Sequence, residues 1–241
     1  MNLGIFLEQV PDGDASWWRM LASGLEWTLA VAALAWIVAF ALGSAIGVAR
    51  TTDRRWLARA SDAYVQIFRN VPLIVQFFVW FFVVPGVAQP VKRWVVSLDP
   101  LTFQVITAVV CLGLFTAARI AEQVRAGIQS LPRGQRHAGL ALGLTQVQAY
   151  RHVLLPMAYR IIIPPLTSEL MNLIKNTAVA YSIGLTELFF RTREMGEMTF
   201  RYFEAFGAAT VVYVAIAFAA NRAMALIERK TAVPGYIGGA R

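Results

Sequence analysis

The sequence predicts an all-α integral membrane protein with about five transmembrane helices, on three observations. Of 241 residues, 58% are hydrophobic and only 15% are charged, whereas soluble domains lie nearer ~45–50% and ~25%. The mean hydropathy is +0.56. Five segments are long and apolar enough to cross ~30 Å of hydrocarbon, which takes about 20 residues of helix. A soluble fold of this composition would lack charge for its surface, which argues against disordered, nucleic-acid-binding and disulfide-rich classes. Cys111 is the single cysteine and lies in an apolar run, so no intrachain disulfide can form.

The first span runs from about residue 27 to 49 (WTLAVAALAWIVAFALGSAIGVA). Residues 1–26 before it carry Glu8, Asp12, Asp14 and Glu26 against a lone Arg19, which reads as a periplasmic or interfacial segment without the basic start of a removable leader. The second span covers about 63–86 and contains Pro72. The third covers about 101–124. The fourth covers about 155–184 and contains Pro156, Pro164 and Pro165. The fifth covers about 206–227, leaving 228–241 as a tail. Proline removes a backbone donor, and a broken helix survives at membrane depth only when buried in protein or lining a wet cavity. Spans two and four are therefore expected to face a bundle interior or a pathway.

The net charge of +8 resolves along the chain. Loop 50–62, segment 125–155 and the stretch from Arg222 to Arg241 each carry four basic residues, twelve in all, on one side of the expected topology. The opposite side carries six, among most of the acids. The positive-inside rule places the twelve in the cytoplasm, the N-terminus outside and the C-terminus inside. Trp17, Trp18 and Trp94 then fall near the outer interface, where indoles concentrate.

Segment 125–155 is the most informative soluble stretch. Arg133 to Tyr150 is rich in Ala, Leu and Gln and predicts a short helix after Pro132, interrupted at Gly143. Leu140, Leu142 and Leu144 beside arginines suit either a docking surface for another protein or a helix lying on lipid. The pattern Gly134-Gln135-x-x-Ala138-x-x-Ala141-Leu142-Gly143-Leu144, followed by Leu154-Leu155-Pro156, resembles the coupling segment of ABC-importer permeases. It departs at His137-Ala138-Gly139, where that family has Glu-Ala-Ala. Gly24-Leu25-x-x-Thr28-Leu29, Arg69-Asn70-Val71-Pro72-Leu73, Ala121-Glu122-x-x-Arg125-x-Gly127-Ile128 and Lys175-Asn176-Thr177 resemble the polar amino-acid branch. Phe115-Thr116-Ala117-Ala118-Arg119, Pro164-Pro165-x-Thr167-Ser168-Glu169, Glu228-Arg229-Lys230, Pro234-Gly235 and Gly238-Gly239 bring the chain closest to the glutamate/aspartate-importing permeases of that branch.

The resemblance implies a type I ABC importer permease fold in a bacterial inner membrane. Residues 27–227 would form the transmembrane domain. Segment 133–150 would couple to an ATPase subunit through Gly134, His137, Ala138, Ala141, Gly143, Leu155 and Pro156. Implied partners are a dimer of ABC ATPase subunits, a second homologous permease and a periplasmic amino-acid-binding protein. ATP would belong to the ATPase, with no cofactor or metal bound by this chain and no catalytic residue in it.

Ionisable groups within spans are costly and hence functional candidates. Arg119 and Glu122 are three apart and could pair along one helix face. Ser168, Glu169, Asn172, Lys175 and Asn176 form a polar stripe on span four, which suits either a pathway or hydrogen-bonded packing between helices. A dicarboxylic amino acid would need cations for its carboxylates and an acceptor for its ammonium. Arg119, Glu122, Glu169, Asn172, Lys175 and Asn176 are accordingly the expected pathway residues. The acidic, basic and aromatic loop 185–207 suits contact with a delivery protein or the membrane interface. No G-x-x-x-x-G-K-[ST], G-x-S-x-G or H-E-x-x-H pattern occurs, and both histidines, His137 and His152, lie in the basic segment. Two alternatives stay open: a permease for glutamine, histidine or arginine, and an ion-coupled secondary transporter or channel using Glu122 and Glu169 as relays.

Overall fold

A computed structural model describes residues 3–11 and 15–231. Asp12, Asp14, Pro234, Gly235, Gly238, Gly239 and Arg241 lie outside the described residues. The described chain is helical, with one isolated bridge between Gln9 and Ser16. Its helices are α1 (Trp17–Ala49), α2 (Arg55–Asn70), α3 (Leu73–Phe78), α4 (Val84–Val87), α5 (Gln89–Ser97) and α6 (Pro100–Gln129), then α7 (Arg133–Ala141), α8 (Gln146–Ala149), α9 (Leu155–Asn176), α10 (Leu188–Thr199) and α11 (Tyr202–Thr231). Each of the five expected spans falls on helix. By length and composition α1, α6 and α11 can each cross a membrane, and α2 with 73–87 makes a fourth when taken as one broken span. The fourth expected span falls on α9, whose hydropathy is lowered by Arg160, Glu169 and Lys175.

Two details differ from the sequence reading. Helix α1 starts at Trp17, ten residues before the expected span, because its first turns bury Trp17 and Met20. Pro164 and Pro165 lie inside α9 without ending it. The chain does break at Val71-Pro72, between α2 and α3. There the Gln76 side-chain amide donates to the Val71 carbonyl at 2.9 Å and satisfies a group that the proline break leaves free. Pro156 follows directly on a wider π turn over Tyr150–Leu154, within a helical run that continues from α8 into α9, and such π turns are a common way for a helix to absorb a local irregularity.

The chain forms two compact units. The first comprises Met1–Val38, Val71–Gly113 and Asn172–Phe218; the second comprises Ala39–Asn70, Leu114–Met171 and Ala219–Arg241. In the first unit Ile5, Trp17, Met20, Met195 and Ala205 share one apolar cluster, which seats one face of α10 on the core while Arg193, Glu197 and Met198 stay exposed. Thr28 and Glu187 are fully buried beside it. The Glu187 carboxylate caps α10, accepting from the Phe189 and Phe190 N–H groups at 2.9 and 2.8 Å. It also accepts from the Tyr213 hydroxyl at 3.2 Å. The Thr28 hydroxyl lies 3.5 Å from it and accepts from the Leu188 N–H at 3.1 Å. A side chain at Gly24 would strike α10 at Leu188 and Arg191, so the Gly24-x-x-x-Thr28 spacing serves a close helix approach and a cap together.

In the second unit Val65, Ala118 and Ala121 pack with Ile46, Tyr64 and Phe68. Gly43 and Gly47, one turn apart on α1, lie against α6. A Cβ at Gly43 would sit 2.7 Å from Ile120 Cβ and 2.8 Å from the Ala117 carbonyl. One at Gly47 would sit 2.6 Å from Val124 Cβ and 2.8 Å from the Ala121 carbonyl. This small-x-x-x-small contact lets the α1 backbone pack directly onto the carbonyls and branched side chains of α6.

Candidate functional site

The expected pathway residues separate into distinct arrangements. In the second unit Arg119 and Glu169 come together. Arg119 Nη1 lies 3.9 Å from Glu169 Oε2, within ion-pair range but beyond a hydrogen bond. Glu169 is only 8% exposed, while the Arg119 side chain is 42% exposed and stacks over Phe115 with 5.1 Å between guanidinium carbon and ring centre. Arg119 Nε and Glu169 Oε2 are buried without hydrogen-bond partners. A carboxylate and a guanidinium this close, with unused bonding capacity on both, can accept a third charged group.

Glu122 does not pair with Arg119, despite their spacing. It meets Arg50 Nη1 at 2.6 Å, Arg69 Nη1 at 3.4 Å and Arg125 Nη1 at 3.6 Å. Arg50 also reaches Asp62 at 2.6 Å. The cluster borders a cavity of about 360 Å³ lined by Val65, Gln66 and Asn70 as well as Arg50, Arg69 and Glu122. Local spacing pointed Glu122 toward its own helix, but Arg50 arrives from 72 residues away with its side chain almost wholly buried. Burying that cation requires paired carboxylates, and Asp62 and Glu122 supply them.

Asn172, Lys175 and Asn176 belong to the first unit. Lys175 is exposed, Asn172 and Asn176 are half-buried, and the Leu173 and Ile174 between them are buried. No described acidic group pairs with Lys175. Helix α9 passes directly into a tighter 3₁₀ turn at Thr177.

The segment expected to couple to an ATPase is a helix pair. Helix α7 begins after Pro132, and the chain turns at Gly143 with φ +85°, a left-handed value that favours glycine. Thr145 and Gln148 then form a reciprocal capping box that starts α8. Gly134, His137, Ala138 and Ala141 are all exposed, at the i, i+3, i+4, i+7 spacing of one helix face, and Leu142 beyond them is 84% exposed. Gly139 is buried and faces Leu144, Ala149 and Val153. Pro156 is exposed and Leu155 half-buried.

Asp53, which the motif reading passed over, ties this pair to the loop after α1. Its carboxylate accepts from Arg136 Nη2 and Gln146 Nε2, both at 2.7 Å, so one acid holds both α7 and α8. The Tyr150 hydroxyl donates to the Thr51 carbonyl at 2.8 Å. The available signal was Asp53 as the one acid among the arginines of 50–60. The bonds from Gln146 and Arg136 hold the Asp53 carboxyl below the usual carboxylate range. A depressed folded value means the tether is complete above the ordinary carboxylate pKa of about 3.9 and is lost as pH falls through the lower folded value. Hydrogen exchange of 133–150, taken relative to the intrinsic rate at each pH, should therefore stay slow from neutral pH down to about 5 and accelerate only in stronger acid. Asp53→Asn should accelerate it already at neutral pH; equal exchange in variant and parent would show that the tether restrains nothing.

The family model described as "Binding-protein-dependent transport system inner membrane component" matches residues 37–233. The chain is 48% identical over 240 residues to the glutamate/aspartate import permease protein GltJ of Escherichia coli (strain K12), covering 99% of this chain and 98% of the relative. It is 32% identical over 213 residues to the glutamate/aspartate import permease protein GltK of Escherichia coli O6:H1, covering 88% and 93%. Among solved structures it is similar to an amino acid ABC transporter crystallised with histidines, with TM-score 0.71, 25% identity and coverage of 88% and 94%.

Proposed function

The chain belongs to the family of inner membrane components of binding-protein-dependent transport systems, and from that premise we propose that it is a permease subunit of an ATP-driven importer for glutamate and aspartate. Its relatives are permease subunits, which move solutes rather than catalyse reactions. The observation that carries the substrate reading is the Arg119–Glu169 pair, alongside full-length similarity to a glutamate/aspartate permease. An acidic amino acid brings carboxylates that a guanidinium binds through two parallel hydrogen bonds, and an ammonium that a carboxylate accepts. Arg119 and Glu169 offer one group of each kind, neither satisfied by the other. Lys175, Asn172 and Asn176 are further pathway candidates, to be tested singly. Glu122 acts in the reading through the position of Arg69 and Arg50.

The partners in this reading are two ATPase subunits, a second permease and a soluble amino-acid-binding protein. ATP is held by the ATPase rather than by this chain. Segment 133–150 faces the cytoplasm, with the N-terminus in the periplasm and the C-terminus inside. The open face of Gly134, His137, Ala138 and Ala141 docks on the ATPase, with the turn at Gly143 and Leu155-Pro156 setting its position. ATP closure moves this segment, and the helices open outward to receive substrate.

Reconstitution of the full assembly in proteoliposomes should give ATP-dependent glutamate uptake that survives collapse of the proton gradient. Gradient-driven transport by this chain alone would overturn the importer reading in favour of a secondary transporter. Arg119→Ala should raise the half-saturating glutamate concentration about ten- to a hundredfold, the loss of one charge-assisted contact. ATPase stimulation by the loaded binding protein should persist. Unchanged uptake and selectivity in that variant would remove Arg119 from the site.

A further inference from the structure

A cleft of about 610 Å³ lies in the second unit beside the loop after α1, a size within the ~300–1,000 Å³ of small-ligand pockets. We propose that it binds an anionic phospholipid. Its walls are Val48, Leu57, Val147 and Leu155, and the exposed Arg54 and Arg151 also line it. Neither arginine has an acidic partner among the described residues. Asp53 is the one acid on the lining, and Arg136 and Gln146 already engage it. The cleft thus keeps two uncompensated positive charges against a mostly hydrocarbon wall. That combination matches a ligand with a negative head and an apolar tail.

Depth favours lipid over a soluble occupant. Val48 is the next-to-last residue of α1, and Leu155 begins the apolar span expected over 155–184, on a helix that runs on from Tyr150–Leu154. The cleft therefore lies where two spans leave the hydrocarbon, at headgroup level. Trp56, one residue before Leu57 on the lining, is exposed, and indoles favour that level. The inference rests on the proposed topology only for the leaflet that supplies the lipid, the cytoplasmic one.

The test is lipid retention by the purified full assembly in detergent, read by native mass spectrometry after titration with phosphatidylglycerol or phosphatidylcholine. Replacing both Arg54→Gln and Arg151→Gln should weaken phosphatidylglycerol retention about thirtyfold, because each charge acts near an anionic surface. Phosphatidylcholine retention should not change. The charge-keeping pair Arg54→Lys and Arg151→Lys should retain phosphatidylglycerol. Val147→Trp, which fills the cleft with both arginines intact, should lose it and guards against misfolding of the first variant. Lys92→Gln with Arg93→Gln, a charge-matched change elsewhere, should have no effect. An equal loss in that control would reduce the binding to general surface charge and overturn the site. Equal occupancy by inorganic phosphate would overturn the lipid as ligand. Loss of the ATPase subunit from the double-glutamine variant, with lipid retention intact, would assign the cleft to a protein partner instead. Retention is measured without transport, so a failure here is separable from a failure of the importer reading.

Discussion

Glu187→Ala should destabilise the first unit by about 3–5 kcal/mol, enough to abolish accumulation of folded chain in the membrane. The carboxylate is fully buried and serves donors from three places: two N–H groups of α10, Thr28 of α1 and Tyr213 of α11. Truncation costs ~1 kcal/mol for the lost cap on the part-buried Phe189 and Phe190 N–H groups, and about 1–3 kcal/mol for each of the Thr28 and Tyr213 hydroxyls left without an acceptor. Glu187→Gln keeps one carbonyl acceptor and should fall between variant and parent. Thr28→Val removes one hydroxyl from the same network and should cost less than either. Thermal unfolding of detergent-solubilised protein, followed by size-exclusion profile, ranks the three. A Glu187→Ala protein that unfolds with the parent would show that water or a rearranged neighbour serves those donors.

Gly47→Ala should destabilise the second unit even though alanine is the better helix former by about 1 kcal/mol. The added methyl would lie 2.6 Å from Val124 Cβ and 2.8 Å from the Ala121 carbonyl oxygen. The second of these is backbone and cannot rotate away. Forcing α1 off α6 costs about 1–3 kcal/mol for overpacking, which exceeds the gain in helix propensity. Gly43→Ala meets Ile120 and the Ala117 carbonyl in the same way, and the double variant should lose more than either single one. Gly47→Val should give no folded protein. Adding Val124→Ala to Gly47→Ala should rescue only in part, because the Ala121 carbonyl remains. Full rescue would show that the constraint lies in side-chain fit and not in backbone approach.

The apolar segments were readable because each sustains its hydrophobicity for about 20 residues, and a membrane span is a local property of sequence. The first ten residues of α1 were not readable. WWRMLASGLE mixes polar and apolar residues, and its first turns pack against Ile5 and against Met195 and Ala205, the last two far away in sequence. The prolines divide in a similar way. Pro72 ends pairing at a break where Gln76 takes over the freed carbonyl, whereas Pro164 and Pro165 stay within α9. Nothing local separates the two outcomes. Of the pathway residues, the spacing of Arg119 and Glu122 suggested a pair that the fold redirects, Arg119 to Glu169 and Glu122 to Arg50. Charged side chains choose partners across helices, and those distances are absent from a one-dimensional reading. Helix α7 was legible from its Ala-, Leu- and Gln-rich composition after Pro132, whereas the set Gly134, His137, Ala138 and Ala141 came from the resemblance to ABC-importer permeases. Asp53 was not, since its importance comes from where α7 and α8 land.

The glycine contact between α1 and α6 also has a mechanical side. The glycines set the α1 backbone directly on the stiff, branched Ile120 and Val124 and on the Ala117 and Ala121 carbonyls, so a small displacement produces a hard collision. The two helices must then travel together as one stiff girder. Within the second unit, strain imposed through α7 and α8 meets a rigid beam on that side and is relieved at a compliant joint, the wider turn over Tyr150–Leu154, whose hydrogen-bond spacing is already loosened. Stiffness at Gly43 and Gly47 thus sets where this membrane protein can bend.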